Sequence, residues 1–301
     1  MLDLLGGVRI ELLDPRGQPW LVRGDNWTGV LRAAALASGV EHVAWLHRFL
    51  ARLAETEFPA PRPLAVLDGA SIVVVEDAVW EMVSFLPGQL LNWNCRVPLG
   101  SAGALLARFH QASLTISPRE QRPGALPMEL GRPTSEASLA ERFQRDLVDL
   151  GHQSSIRCVV HGDATQANML VADRARAATA LIDFNLAHLG PPESDISFAL
   201  WVAGRLEQPA ITLDTGRVRD FVAGYHRVRP LGVWAVRAIP LYLVGRGLQM
   251  HVRLERRGVR DETQSKRLHW LDENRRSLED AVASALAQAP GADGDAVRET
   301  D

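Results

Sequence analysis

Lysine is almost missing from this chain of 301 residues: Lys266 stands alone against 32 arginines. Any chemistry that needs a fixed cation must therefore use an arginine. Cysteine is scarce as well. Cys95 and Cys158 lie far apart, which argues against the disulfide framework of a small secreted domain and leads us to expect a reducing, cytoplasmic setting. No apolar run approaches the roughly 20 residues of a membrane span, so no membrane association is expected. The opening MLDLLGGVRIELLD has no basic segment before its apolar residues, and we do not read it as a signal peptide. Without a secretory signal, the sequon Asn26-Trp27-Thr28 is a pattern match only. A formal net charge of −3 provides no electrostatic footprint for nucleic acid. A Walker A GxxxxGK is missing too, and residues 15–19 contain a single glycine, Gly17. No internal repeat is seen.

Apolar residues at 47% and charged residues at 23% are ordinary for a globular protein with a sizeable core. The first 87 residues read as strands with one helix. GVRIELLD (residues 7–14) alternates like a strand, PRGQ reads as a turn, and PWLVRG completes a hairpin. TGVLRAAA is a third short apolar run. VEHVAWLHRFLARL (residues 40–53) has helical spacing at Val43, Leu46, Phe49, Leu50 and Leu53, and FPAPRP ends it. PLAVLD, SIVVVED and VWEMVSF follow as expected strands. Leu86-Pro87-Gly88 marks a boundary. Beyond it helices are expected over residues 101–112, 136–150, 196–203, 218–227, 233–256 and 261–286, with a Pro/Gly-rich loop over 117–133. Residues 288–301 read as a disordered tail.

Within this helical half, VVHGDATQANML (residues 159–170) and ATALIDFN look like two short strands joined by a turn. They present His161, Asp163 and Asn168 and, fifteen residues after the asparagine, Asp183. Asp and Asn oxygens are hard ligands suited to Mg²⁺ that also holds phosphates. A carboxylate left free of metal can take the proton of an attacking hydroxyl. Base, metal ligands and a cationic clamp are the parts of phosphoryl transfer. The plain alternative is a polar turn with His161 as a satisfied core histidine.

His161-Gly162-Asp163…Asn168 followed by Leu181-Ile182-Asp183-Phe184 resembles the aminoglycoside phosphotransferase family. Weaker likenesses cover nearly the whole chain: Val30-Leu31-Arg32 resembles the third strand, Phe58 to Pro63 the link after the early helix, Glu81 to Gly88 the hinge, Leu105 to His110 a C-lobe helix, and Gly190-Pro191-Pro192…Asp195 the segment after the metal aspartate. The resemblance implies an α+β, bilobal protein-kinase-like fold. It would have a small N-lobe of antiparallel sheet plus helix (residues 1–87) and a larger, mostly helical C-lobe (residues 88–287). It also implies a Mg²⁺-dependent kinase moving the γ-phosphate of ATP, or GTP, to a hydroxyl of an antibiotic-like or metabolite acceptor. Asp163 would be the base, and Asn168 and Asp183 the metal ligands. His161 would buttress the loop, as would Asp195, for which a helix N-cap is the alternative. Arg32, where the family has lysine, would clamp the phosphates with Glu41 as its helix partner. Ser84, Phe85 and Leu86 would present backbone groups to the base.

Arginine can bind phosphate bidentately but does not duplicate lysine. A non-catalytic nucleotide-binding relative is therefore the competing reading. The region expected to form the acceptor site, residues 221–271, is rich in arginine: Arg227, Arg229, Arg237, Arg246, Arg253, Arg256 and Arg257. Most of these should be solvated helix face; several pointing inward would favour an anionic or neutral acceptor over a polycation. Tyr225, Trp234, Tyr242 and His251 are pocket candidates that helical spacing makes equally good core residues. The oligomeric state is not legible.

Overall fold

The computed structural model describes residues 2–3, 8–13, 19–34, 39–65, 69–76, 78–91, 99–116, 134–151, 157–172, 177–205 and 211–288. An antiparallel sheet comes first: β1 (Leu2–Asp3), β2 (Arg9–Leu12), β3 (Trp20–Arg23), β4 (Thr28–Ala34), β5 (Ile72–Val75) and β6 (Ala78–Ser84), in the order β1-β2-β3-β4-β6-β5. Helix α1 (Gly39–Ala54) connects β4 to the rest. Its buried residues include Val43, Leu46, Leu50 and Leu53, which recur every three or four positions, the spacing of an amphipathic helix with one face inward.

Helices dominate the remainder: α2 (Leu99–Thr115), α3 (Ala137–Gly151), α4 (Pro192–Ala203), α5 (Thr215–Val228), α6 (Ala235–Arg256), α7 (Glu262–Glu273) and α8 (Arg275–Leu286). Among them sit a three-stranded sheet of β7 (Gln89–Leu90), β9 (Met169–Val171) and β10 (Ala178–Leu181), and a two-stranded one of β8 (Cys158–Val160) and β11 (His188–Gly190). No helix among the described residues is long and apolar enough to cross a membrane. The fold is α+β, an antiparallel sheet followed by a helical body.

Three expectations about elements are corrected. PLAVLD forms no strand among its described residues; Pro63 makes an isolated bridge to Val83, and residues 66–68 lie outside the described set. Proline cannot donate to a ladder, which confines such a segment to an edge contact. The single helix expected over 261–286 is two. Asn274 breaks it with its side-chain amide donating to the Trp270 carbonyl at 2.9 Å, and the turn lets α8 swing onto α5 and α6. Helix α4 begins at Pro192, four residues earlier than expected, because proline suits a helix's first position. The loop over 117–133, residues 15–19 apart from Pro19, and the tail apart from Gln288 fall outside the described residues.

One core joins sheet side and helical side through aromatics. Trp45 and Phe49 of α1 stack at 6.0 Å, Phe49 meets Phe109 of α2 at 6.4 Å, and Phe109 meets Phe184 at 5.4 Å. Helices α2 and α5 approach with almost no gap. A Cβ on Gly103 would stand 2.1 Å from the Phe221 carbonyl, and one on Gly224 would stand 2.0 Å from the Gly100 carbonyl. Only glycine permits that approach, and it brings His110 and Tyr225 into contact.

Candidate active site

The segment after β8 is held from below by one carboxylate. Asp195, fully buried in the first turn of α4, accepts from the His161 amide at 2.7 Å, the Gly162 amide at 2.9 Å and His110 Nε2 at 3.0 Å. The helix N-cap is Pro191, so Asp195 does not cap α4; its side chain turns away to the loop. Burial raises its pKa, but the His110 hydrogen bond, the nearby His110 and His161 rings and the His161 amide outweigh that and hold it below the ordinary carboxylate value. Burial holds the His110 ring below its ordinary value, against the pull of Asp195. A neutral His110 then donates from Nε2 and accepts at Nδ1 from the Tyr225 hydroxyl at 2.7 Å, which in turn accepts from Arg229 at 3.1 Å. The chain runs Arg229, Tyr225, His110, Asp195, loop.

Gly162 has φ +78°, and a Cβ there would lie 2.2 Å from the Leu186 carbonyl. The motif's glycine is thus required by both backbone conformation and space. His161 is buried against Phe184, with ring centroids 4.6 Å apart. Its Nε2 donates to the Ile182 carbonyl at 2.9 Å and its Nδ1 accepts from the Asp163 amide at 3.2 Å. Both residues expected to support the loop therefore contact it.

Asp163, Asn168 and Asp183 meet in one place. Asn168 Nδ2 donates to Asp163 Oδ2 at 3.1 Å and to its carbonyl at 2.8 Å, which leaves Asn168 Oδ1 as an acceptor. The Ile182 amide donates to the Asn168 carbonyl at 2.9 Å, setting Asp183 beside the loop. Asp183 has φ +60°, a left-handed conformation uncommon outside glycine but adopted by Asp more often than by most residues. Burial raises the pKa of Asp163; the nearby His161 ring and the charge of Arg246 pull it down, Asp183 pushes it up, and the net direction is upward. An upward shift makes the carboxylate a stronger proton acceptor, the property a general base uses.

From above, Arg32 of β4 reaches down. Its Nη1 donates to Asp183 Oδ1 at 2.9 Å, and its Nε to Glu81 Oε1 at 2.6 Å. Glu41 is exposed in the first turn of α1, and the expected Arg32–Glu41 pair does not form. The carboxylate comes instead from β6, where Glu81 lies directly opposite Arg32 in the ladder. Cross-strand neighbours on one sheet face are about 5 Å apart, close enough for this pair. Helix α1 contributes His47, whose Nε2 lies 2.5 Å from Glu81 Oε2. Burial raises the Glu81 pKa, but the His47 hydrogen bond and Arg32 charge prevail and keep it low. The signal was present in VWEMVSF: Val79, Glu81 and Val83 alternate on the buried face, and an acid between two inward valines needs partners.

The hinge expectation is narrowed. The Ser84 amide donates to the Arg62 carbonyl at 2.8 Å and the Phe85 amide to that of Thr28 at 3.1 Å. Leu86 makes no such backbone bond among the described residues.

Beside the loop opens a cleft of about 340 Å³ lined by Gly162, Arg157, His188, Phe198, Tyr242 and Arg246, among others. A larger cavity, about 650 Å³, lies between the start of α3 and the α6–α7 turn. None of the motif residues lines it, whereas Gly162 of the motif and its brace Asp195 line the smaller one. Of the seven arginines of the acceptor region, Arg227, Arg237, Arg253, Arg256 and Arg257 are exposed, while Arg229 and Arg246 are half-buried. Tyr225 is core, Trp234 donates to Glu193 at 3.0 Å, and His251 lines the larger cavity.

A kinase-like sheet and helix over an HGDxxxxN loop, with a second carboxylate beside it, define a phosphotransferase architecture. The profile of the phosphotransferase enzyme family (APH) matches residues 17–231, and the chain belongs to that family. A homoserine kinase of Acidiphilium cryptum is 25% identical over 223 residues, 68% of this chain; the match spans 66% of that protein's length. Among solved structures, the amicoumacin kinase hAmiN bound to AMP-PNP, Ca²⁺ and Ami superposes with TM-score 0.66 at 16% identity, covering 90% of this chain and 88% of that one. A microcompartment-associated aminopropanol kinase gives TM-score 0.66 at 19% identity, covering 93% and 94%.

Proposed function

We propose that the protein transfers the γ-phosphate of ATP to a hydroxyl of a small acceptor, with GTP as the alternative donor. The observation that carries this reading is the convergence of Asp163, Asn168 and Asp183 below Arg32. Asp163 accepts the acceptor's hydroxyl proton, and Arg32, steered by Glu81 and His47, meets the phosphates. Leu86 offers the hinge amide to the nucleotide base. The donor set suits Mg²⁺: Asn168 Oδ1 and the half-exposed Asp183 carboxylate are two hard oxygens, and phosphates and water complete such a shell. When bound, that ion would neutralise phosphate charge. Two of the similar proteins are named for homoserine and aminopropanol, small molecules that each carry a hydroxyl and an amine.

A second reading has one observation behind it. Arg32 replaces lysine and is paired with the metal-ligand candidate Asp183, so the site could hold nucleotide without turnover. Thermal melting with ATP and GTP, each with and without Mg²⁺, tests the nucleotide site. A ligand at one hundred times its Kd adds about 2.7 kcal/mol of stability, and Asp183→Ala should remove the Mg²⁺-dependent part. No shift with either nucleotide removes the proposal; a shift without acceptor-dependent ADP release in a broad hydroxyl library selects the second reading.

A further inference from the structure

Charge in the cleft beside the catalytic loop is cationic where a polyamine substrate would need carboxylates. Of the charged side chains lining it, Asp195 is occupied by three donors from the protein itself. Arg157 donates to the Leu189 carbonyl at 3.2 Å. Arg246 differs from both. Its guanidinium carbon sits over the Phe198 ring, 3.8 Å from the centroid. Among the described residues no carbonyl or carboxylate accepts a hydrogen bond from it, and its Nε is buried without a partner. Arg32, by contrast, binds two carboxylates, and the Nε of Arg217 donates to the Ala203 carbonyl at 2.7 Å. Burial pushes the pKa of Arg246 down to about 10, which still leaves it charged at neutral pH, and the field of Asp163 is felt there.

A fixed, charged, planar fork without an acceptor is a binding site for an oxyanion. The Phe198 ring packs against it, and a guanidinium restrained by packing loses less freedom when it meets a carboxylate. A cavity of about 340 Å³ lies at the small end of the ligand-site range, which suits a compact molecule better than an oligosaccharide.

From this we infer that the acceptor is a small hydroxy acid, whose carboxylate is taken by Arg246 while its hydroxyl meets Asp163. The inference rests on the phosphotransfer reading above. The step balances simply. The hydroxyl oxygen forms a bond to the γ-phosphorus, the bond from the bridging oxygen to that phosphorus breaks, the hydroxyl proton passes to Asp163, and the nucleoside diphosphate leaves with the electron pair. Arg246 neutralises the carboxylate, which would otherwise add a third negative group beside Asp163 and the phosphates.

The test is acceptor-dependent ADP release with hydroxy acids of three to six carbons, each beside its neutral amide, together with aminoglycosides and amino alcohols lacking a carboxylate. Wild type should turn over acids and reject their amides. Arg246→Gln should raise KM for the accepted acid at least tenfold, and Arg246→Lys, which keeps the charge without the fork, should recover part of that loss. Both variants should retain the Mg²⁺-nucleotide melting shift, which also shows that they fold. Equal use of acid and amide, turnover of the cationic acceptors alone, undiminished acid turnover in Arg246→Gln, or no acid turnover with the nucleotide shift intact would each overturn the acceptor class while leaving the nucleotide site standing. Loss of the wild-type shift would instead remove the phosphotransfer reading.

Discussion

The two supports of the site are built differently. Below, Asp195 and two histidines hold the backbone of the catalytic loop, and every acceptor oxygen of that carboxylate is met by a fixed donor in a buried setting. Above, Glu81 and His47 hold a cation, Arg32, whose other end rests on the partly exposed Asp183. The lower support fixes geometry; under the proposed function the upper one poises a charge that exchanges Asp183 for the phosphates. A buried network satisfied at every atom is rigid and costly to break. A half-open ion pair is cheap to rearrange. The contrast separates what the site must keep still from what it must let move.

The comparison can be broken from below first. Asp163→Ala should lower kcat by roughly 10²–10⁴-fold while the nucleotide-dependent melting shift stays as in wild type; turnover at wild-type rates would remove Asp163 as the base. Asp195→Ala, which leaves three donors unmet, should cost about 3–5 kcal/mol of stability, visible in urea unfolding, and should impair activity in whatever fraction remains folded. The same carboxylate carries a pH signature. Its folded-state pKa lies below the ordinary 3.8. The stability it contributes is therefore complete above that value and lost as pH falls through the lower folded one. Asp195→Asn should flatten this acid limb, and an unchanged limb would assign the acid sensitivity elsewhere.

From above the expected effects are smaller. Glu81→Gln removes the charge opposite Arg32 but keeps the shape. We expect the nucleotide KM to rise about tenfold, in line with the roughly 1.5–3 kcal/mol of a hydrogen bond to a charged group, with kcat changed less. A larger fall in kcat than rise in KM would mean that Glu81 serves the transition state and not the placement of Arg32. The surface pair Arg142–Asp272, half-exposed on the arginine side at 48%, provides the floor. Arg142→Ala should shift stability by no more than about 1 kcal/mol and leave both supports untouched.

The loop motif was legible because its chemistry is local: a histidine, a glycine, an aspartate and an asparagine within eight residues, with Asp183 one hairpin away. Glycine at 162 is demanded by a carbonyl only 2.2 Å from where its Cβ would be, so the motif carries its own steric reason. Helix α1 was legible for the same kind of reason, its apolar period. The partner of Arg32 was not. Glu41 looked like the partner because it is the early acid on the expected helix, whereas the real one stands 49 residues away in sequence and opposite in the ladder. Antiparallel register creates such neighbours, and register between non-adjacent strands is not written in spacing along the chain. The break at Asn274 was hidden similarly, since amphipathic period continues through it and only packing on α5 and α6 requires the turn.

By itself, then, the sequence determined the α+β class, the phosphotransfer motif and the reliance on arginine, because composition and short-range spacing act locally. Tertiary structure alone decided which acid holds Arg32, which arginine of seven faces the cleft, and what braces the loop. Those depend on which distant side chains burial forces together, and a buried charge is stable only where folding supplies its partner.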